Sequence, residues 1–211
     1  MTINISLPKI VRGEAAFWHT VMEGNDFLDE ISGSSDRSLA ILGGAILEAE
    51  LRAMIQRCVT DGEVGAKLLA PSGALGAFQA QVDTAYLFGL IGADIRSDLK
   101  KIASIRNKFA HEAHGVALDQ SPLKDHCRDL KAPDRYVRFR VGEETTGLLV
   151  QTPQAGRIIQ IGLDITGPDD PRRRARWRLE ATVQLLALVM AGTSLARPAA
   201  TTPSASWEMP L

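Results

Sequence analysis

The sequence has only two cysteines, Cys58 and Cys127, and their wide separation shows no metal-ligand spacing and gives no basis for a disulfide framework. We expect both to be small buried apolar residues in a reducing compartment. The sequence also lacks the basic start, apolar run and cleavage site of a secretory signal. Its longest apolar stretch, TVQLLALVMAGTSLA, is shorter than a bilayer-spanning segment. These absences predict a soluble cytoplasmic protein with no membrane association.

An excess of charge of either sign is also missing, since the formal net charge is −1. Proteins that hold duplex nucleic acid over their whole surface are usually strongly basic, so we do not expect this class, although a local basic patch is compatible with the total. The sequence contains no phosphate-binding glycine loop, dinucleotide fingerprint, serine-hydrolase elbow or two-histidine zinc helix. We therefore expect no cofactor and no metal.

The 211 residues, of which 45% are apolar and 23% charged, suit a single globular domain. Apolar residues recur at helical spacing along most of the chain. This spacing predicts helices over residues 13–30, from Ser35 to just before Gly62, across a segment that ends at Gly92, over 95–113 and over 171–196.

Local signals refine two of these helices. Ser35 and Asp94 are the expected N-caps, because their side chains can accept hydrogen bonds from free amides of the first turn. Gly43 and Gly44 lie inside a helix, where each costs about 1 kcal/mol relative to alanine. We expect another backbone to approach closely at this pair.

Between Gly115 and Pro171 the helical spacing gives way to alternation. RYVRFRV, residues 135–141, places Val137, Phe139 and Val141 on one face, and residues 156–165 alternate in the same way. These patterns predict a small antiparallel β insertion near residues 135–166. The expected fold is mainly α, with one domain over residues 1–196 and a flexible tail, 197–211, rich in Pro, Ala, Ser and Thr.

The segment IRNKFAHEAHG, residues 105–115, carries the strongest candidate site. On a helical wheel, Arg106 falls within an apolar stripe, and Asn107 and His111 share a neighbouring face. His111 could move protons, Asn107 could orient the imidazole or a substrate, and Arg106 could stabilise a phosphate oxygen, which together suffice for RNA cleavage without metal. On a straight helix Arg106 and His111 point about 140° apart, so such a site needs a deviating helix end or a second copy of the motif.

A structural interpretation of the same motif is equally concrete. An unpaired buried guanidinium costs several kcal/mol, so Arg106 could pair with a carboxylate such as Asp83 or Glu48. His111 could cap the last carbonyls of its helix, where a cation is favourable. The residues alone favour this interpretation, because structural ion pairs are commoner than active sites.

A second candidate site is the basic cluster PRRRARWRLE, residues 171–180. Its arginines could bind phosphates while the tryptophan stacks on a base. Alternatively, Asp169 and Asp170 neutralise an exposed first turn and the tryptophan packs in the core. The cluster comprises Arg172, Arg173, Arg174, Arg176, Trp177 and Arg178. Both interpretations remain open at this point.

Two consecutive pieces resemble the mannitol operon repressor family: DRSLAILGGAILEAELRAMI, and the segment from PSGALGAFQ to RNKFAH. The similarity covers roughly residues 35–115 and includes a turn centred on Gly76 and the run YLFGLI. The helix ending in RNKFAH also resembles the HEPN signature, in which an arginine with a polar residue directly after it precedes a histidine. The matching residues are Arg106, Asn107 and His111.

These resemblances imply a HEPN-like all-helical bundle, usually dimeric, in which two copies of the motif face one cleft. Relatives of the repressor type are described as transcriptional regulators, yet this sequence has no convincing helix-turn-helix. We therefore predict a homodimeric regulatory protein that acts through contact with a protein or a nucleic acid. The alternative prediction is a metal-independent, toxin-like endoribonuclease that uses Arg106, Asn107 and His111 on RNA.

Overall fold

The computed structural model describes residues 3–5, 30–31, 33–59, 62–112, 114–136, 146–151, 158–163 and 174–196. This part of the chain is mainly helical, as predicted. In chain order its elements are β1 (Ile3–Ile5), α1 (Asp36–Gln56), α2 (Glu63–Leu69), α3 (Phe78–Leu87), α4 (Ala93–His111), α5 (Leu123–Arg128), α6 (Ala132–Tyr136), β2 (Thr146–Gln151), β3 (Ile158–Leu163) and α7 (Ala175–Ala196). Among the helices described, none combines the length and the apolar content needed to cross a bilayer.

Helix α1 begins where the sequence predicts. The hydroxyl of Ser35 accepts a hydrogen bond from the backbone N–H of Ser38 at 3.1 Å, which confirms the predicted N-cap. Its buried side chains, among them Leu39, Leu47 and Leu51, recur at helical spacing and face the core.

The glycine pair in α1 marks close contacts with two other helices, although side chains rather than backbones approach it. A methyl group added at Gly43 would lie 3.0 Å from both Cγ atoms of Val183 in α7. One added at Gly44 would lie 2.7 Å from Cδ of Arg106 in α4. Both neighbouring helices therefore pack against α1 at a distance that larger residues would prevent.

Helix α3 ends at Leu87, five residues before the predicted end at Gly92. The chain leaves the helix at Gly89, whose φ of 66° is left-handed. The N–H of Leu90 donates to the carbonyl of Ala85 at 2.9 Å, and that of Gly89 donates to Tyr86 at 3.0 Å. This is a Schellman ending, and it leaves Gly89 exposed on the surface.

Helix α4 follows directly, with Gly92 at the N-cap position. Asp94, predicted as the N-cap, instead lies in the first turn, and its carboxylate pairs with Nζ of Lys131 at 2.8 Å. The buried face of α4 consists of Asp98, Leu99, Ile102, Ile105 and Phe109.

Helix α7 occupies the interior of the described part. Every residue from Trp177 to Leu186 is buried, and the helix packs against α1, α5 and α6. A helix buried on all sides must lie inside the packed core. No helix was predicted between Gly115 and Pro171, but the burial of Leu123 and Cys127 stabilises the short helix α5 there.

Three short strands form one antiparallel sheet in the order β1-β3-β2. Ile3 in β1 and Thr146 in β2 both lie opposite Leu163 of β3. The strand predicted to begin at Arg135 does not begin there, because α6 continues to Tyr136; residues 137–141 lie outside the described ranges. Strand β1 was not predicted.

Two predicted segments lie outside the described residues. They are the helix over 13–30, except for its last residue, and the whole of the tail, 197–211.

Candidate functional site: the end of helix α4 and its surroundings

The motif RNKFAH occupies the last turns of α4, and its side chains lie in different environments. Ile105 and Phe109 are fully buried and hold the helix against the core. Asn107 and His111 are exposed, and His111 is the last residue of the helix. Arg106 lies between these two faces and is half-buried, although the helical wheel placed it within the apolar stripe.

Arg106 forms an ion pair with Glu48 of α1. Its Nη1 lies 2.7 Å from Oε2 of Glu48, and the two side chains are 31% and 28% exposed. The aliphatic part of Arg106 rests on Gly44, one helical turn before Glu48. Glu48 was one of the two carboxylates predicted as partners of Arg106.

Arg37 fills the capping role that the structural interpretation gave to His111. Its guanidinium donates hydrogen bonds to the carbonyls of Phe109 and Glu112. These carbonyls lie at the C-terminus of α4, where a cation is favoured by the helix dipole. The exposed imidazole of His111 lies at the same helix end.

Asp83, the other predicted partner of Arg106, binds two different cations. Its Oδ1 lies 2.6 Å from Nη2 of Arg96 and 2.9 Å from Nζ of Lys100. The hydrogen bonds from Lys100 and Arg96 hold the pKa of Asp83 below its ordinary value. This network joins α3 to α4 on the outside of the fold.

The basic cluster of residues 171–180 does not form one continuous exposed surface in the described part. Arg178 is buried and donates to the carbonyls of Cys127 and Leu130 and to the carboxylate of Asp134. Arg176 pairs with Asp36 at 2.8 Å. These contacts serve the fold, because they connect α7 to α1, α5 and α6.

The other members of the basic cluster differ in position. Trp177 is buried and therefore unavailable for base stacking, in line with the packing alternative. Arg174 lies at an exposed position. Arg172 and Arg173 lie outside the described residues.

Sequence reasoning missed the buried carboxylate of Asp98. It accepts hydrogen bonds from the backbone N–H groups of Lys131 and Ala132 at 2.8–3.0 Å and so caps the start of α6. Burial raises the pKa of this carboxyl group above its ordinary value. Its helical spacing with Ile102, Ile105 and Phe109 was the available signal, since an aspartate on an apolar face requires a partner.

A second missed feature is an exposed apolar group at the end of α3. Tyr86, Leu87 and Phe88 are 41%, 80% and 54% exposed. The guanidinium carbon of Arg96 lies over the ring of Tyr86, 5.1 Å from its centroid. In the sequence these residues were noted only as part of the YLFGLI run.

Cys127 is buried and Cys58 is half-buried, and neither forms a disulfide. Burial is the main cause that raises the pKa of Cys127 to about 12, so this thiol stays protonated at neutral pH. Across the described ranges, no three His, Cys, Asp or Glu side chains converge in a way that could hold a metal ion.

The fold has a counterpart among solved structures. It is similar to the structure titled "X-ray structure of the MtlR-HPr complex from Escherichia coli", with a TM-score of 0.50 and 15% sequence identity, over 85% of this chain and 98% of that chain. At this identity the similarity concerns the fold. No protein-family model matches the sequence, and no curated protein matches it.

Proposed function

We propose that this protein is a regulator that acts by binding another protein. The observation that carries the proposal is the fold similarity to MtlR over 85% of this chain and 98% of that chain, because the MtlR structure is that of a complex with a second protein. Shared fold alone does not define function, so further support must come from the surface of this chain.

Two features of the described surface favour a protein partner over a nucleic acid. Trp177, the residue of the basic cluster that could stack on a base, and Arg178, one of its arginines, are buried in the fold. In contrast, three consecutive apolar residues, Tyr86 to Phe88, are exposed at the end of α3. Exposed apolar groups of this kind are typical of protein contacts.

A genetic and biochemical test addresses this proposal directly. The full chain carries an affinity tag in the source cells, and the proteins that purify with it are identified, purified and tested individually for binding. In parallel, transcript levels are compared between cells with and without the gene. A regulator of this type gives a reproducible protein partner and a defined set of changed transcripts. The absence of both would contradict the proposal.

The alternative function is a metal-independent endoribonuclease. It is supported by the exposure of Asn107 and His111 at one helix end, where RNA could reach them. The third residue of the motif, Arg106, is engaged in an ion pair with Glu48. An active site therefore requires that Arg106 act from this pair or that a second copy of the chain supply the missing charge.

Incubation of the purified protein with a mixed RNA pool and a metal chelator tests this alternative. His111→Ala is the informative variant, and His114→Ala, which removes another exposed histidine nearby, is its control. Cleavage that persists in the control and disappears in His111→Ala would establish the ribonuclease. Intact RNA in the presence of a folded protein would contradict the ribonuclease. Sedimentation of the same samples tests whether the protein is the predicted dimer.

A further inference from the structure

The end of α3 and the first turns of α4 form a surface on which exposed apolar residues lie beside two cations. We refer to Tyr86, Leu87, Phe88, Arg96 and Lys100 as the α3 end surface. The side chain of Leu87 is 80% exposed and that of Phe88 is 54% exposed. The Schellman ending at Gly89 turns the chain sharply after Phe88, which keeps these side chains outside the core.

One apolar residue of this surface, Tyr86, is held in place by a charged neighbour. Arg96 stacks over Tyr86 and also binds Asp83, so the ring and the guanidinium restrain each other. Lys100 binds the same carboxylate from the next turn of α4. A surface that is ordered before binding loses less conformational entropy when a partner arrives.

The charge of this surface indicates what kind of partner it suits. Two cations, Arg96 and Lys100, share the single carboxylate of Asp83, which leaves an excess of one positive charge. The first turn of α4 adds no further net charge, because the carboxylate of Asp94 in that turn pairs with Nζ of Lys131 at 2.8 Å.

We propose that the α3 end surface is the docking site for a protein partner that presents an apolar side chain flanked by carboxylates. This inference rests on the proposed function and names the surface through which it operates. The apolar side chain would cover Leu87 and Phe88, and the carboxylates would lie toward Arg96 and Lys100. A second copy of this chain fits less well, because two surfaces with the same excess of positive charge repel each other.

The test places a photo-crosslinking amino acid at position 87 or, as a control, at position 64 of the full chain in the source cells. Val64 is a suitable control because it is also an exposed apolar residue, 72% exposed, but belongs to α2. Each crosslinked protein is identified and purified. Its dissociation constant for the wild-type chain, Leu87→Asp, Arg96→Ala and Val64→Asp is then measured at several salt concentrations.

The expected result is a partner that crosslinks from position 87, with an acidic contact surface. Leu87→Asp should weaken its binding at least tenfold, which corresponds to about 1.4 kcal/mol. Arg96→Ala should weaken binding mainly by slowing association and should reduce the salt dependence. The control Val64→Asp should change the dissociation constant less than twofold. If Leu87→Asp does not fold, Phe88→Glu takes its place and should weaken binding to the same extent.

Other outcomes overturn the inference in distinguishable ways. Crosslinking only to a second copy of the chain would show that the surface is a dimer contact, and crosslinking to RNA would show a nucleic-acid contact. A partner that crosslinks from position 64 and not from position 87 would overturn the assignment of this surface but leave the proposed function standing. An equal loss of binding in Leu87→Asp and Val64→Asp would have the same meaning. No partner in the crosslinking and the affinity purification would overturn both.

Discussion

At the scale of single residues, the fit between Gly44 and Arg106 explains why a glycine lies in the middle of α1. Alanine is favoured over glycine in a helix by about 1 kcal/mol. Here the missing side chain gives Arg106 the space to reach Glu48 at 2.7 Å. The stability of the pair of helices therefore depends on a residue that is unfavourable by local propensity.

We predict that Gly44→Ala changes stability in opposite directions in two backgrounds. In the wild-type chain the added methyl group meets Arg106 at 2.7 Å, and we expect the free energy of unfolding to fall by about 1–2 kcal/mol. In an Arg106→Ala background Cδ and Cγ are gone and only Cβ remains, at 3.3 Å, so the same change should stabilise by up to about 1 kcal/mol. Urea unfolding of the four proteins measures both values. The same sign in both backgrounds would contradict this explanation of Gly44.

The buried carboxylate of Asp98 gives a prediction about pH. Because burial raises its pKa in the folded state, the folded protein binds the proton more tightly than the unfolded chain. Its contribution to stability is therefore largest at low pH and decreases as the pH rises from about 3.8 through the raised pKa.

Asp98→Asn tests this contribution, because asparagine does not titrate. At neutral pH we expect the variant to lose about 1–3 kcal/mol, since its amide NH₂ faces backbone donors at Lys131 and Ala132. The unfolding free energy of the wild type minus that of the variant should grow as the pH is lowered from neutral through the raised pKa of Asp98 toward about 3.8. Urea unfolding from pH 3 to pH 7 measures it. A difference that shrinks toward low pH would mean that the folded state lowers the pKa.

At the scale of elements, the sequence was informative wherever one local signal decided the structure. Ser35 fixed the start of α1, and helical spacing identified α4 together with its motif. The end of α3 could not be read in the same way, because both Gly89 and Gly92 are helix terminators and only the tertiary packing selects between them. The partner of Arg106 could be narrowed to two carboxylates, but choosing Glu48 required the packing of α1 against α4.

The end of α4 depends on a contact that local sequence does not reveal. Arg37 and the carbonyls of Phe109 and Glu112 are more than 70 residues apart in the chain. We predict that Arg37→Ala exposes these carbonyls and lowers stability by about 1 kcal/mol. Hydrogen exchange should accelerate in the last turns of α4, where Asn107 and His111 lie.

Arg37→Lys separates charge from geometry at this helix end. A lysine keeps the favourable interaction with the helix dipole but cannot span two carbonyls as a guanidinium does. We therefore expect it to restore only part of the protection from exchange. Full restoration would indicate that the positive charge alone is sufficient.

At the scale of the whole molecule, α7 determines how the described parts of the chain fit together. Arg178 lies on this helix and binds the carbonyls of Cys127 and Leu130 and the carboxylate of Asp134. Three contacts from one buried guanidinium thus connect the last helix to α5, to α6 and to the loop between them. The same arginine was a candidate nucleic-acid contact in the sequence, and a substitution can distinguish the two roles.

We predict that Arg178→Ala lowers the free energy of unfolding by about 3 kcal/mol, because two carbonyls of buried residues each lose a hydrogen bond from the guanidinium. Arg174→Ala removes an arginine from the same cluster at an exposed position and should change stability by less than about 0.5 kcal/mol. Urea unfolding compares the two variants, and binding of a fluorescent single-stranded RNA is measured on each. If Arg178→Ala left stability unchanged and weakened RNA binding, Arg178 would be a ligand contact. If Arg178→Ala loses stability and Arg174→Ala does not, the fold requires Arg178, whatever the result of the RNA-binding measurement.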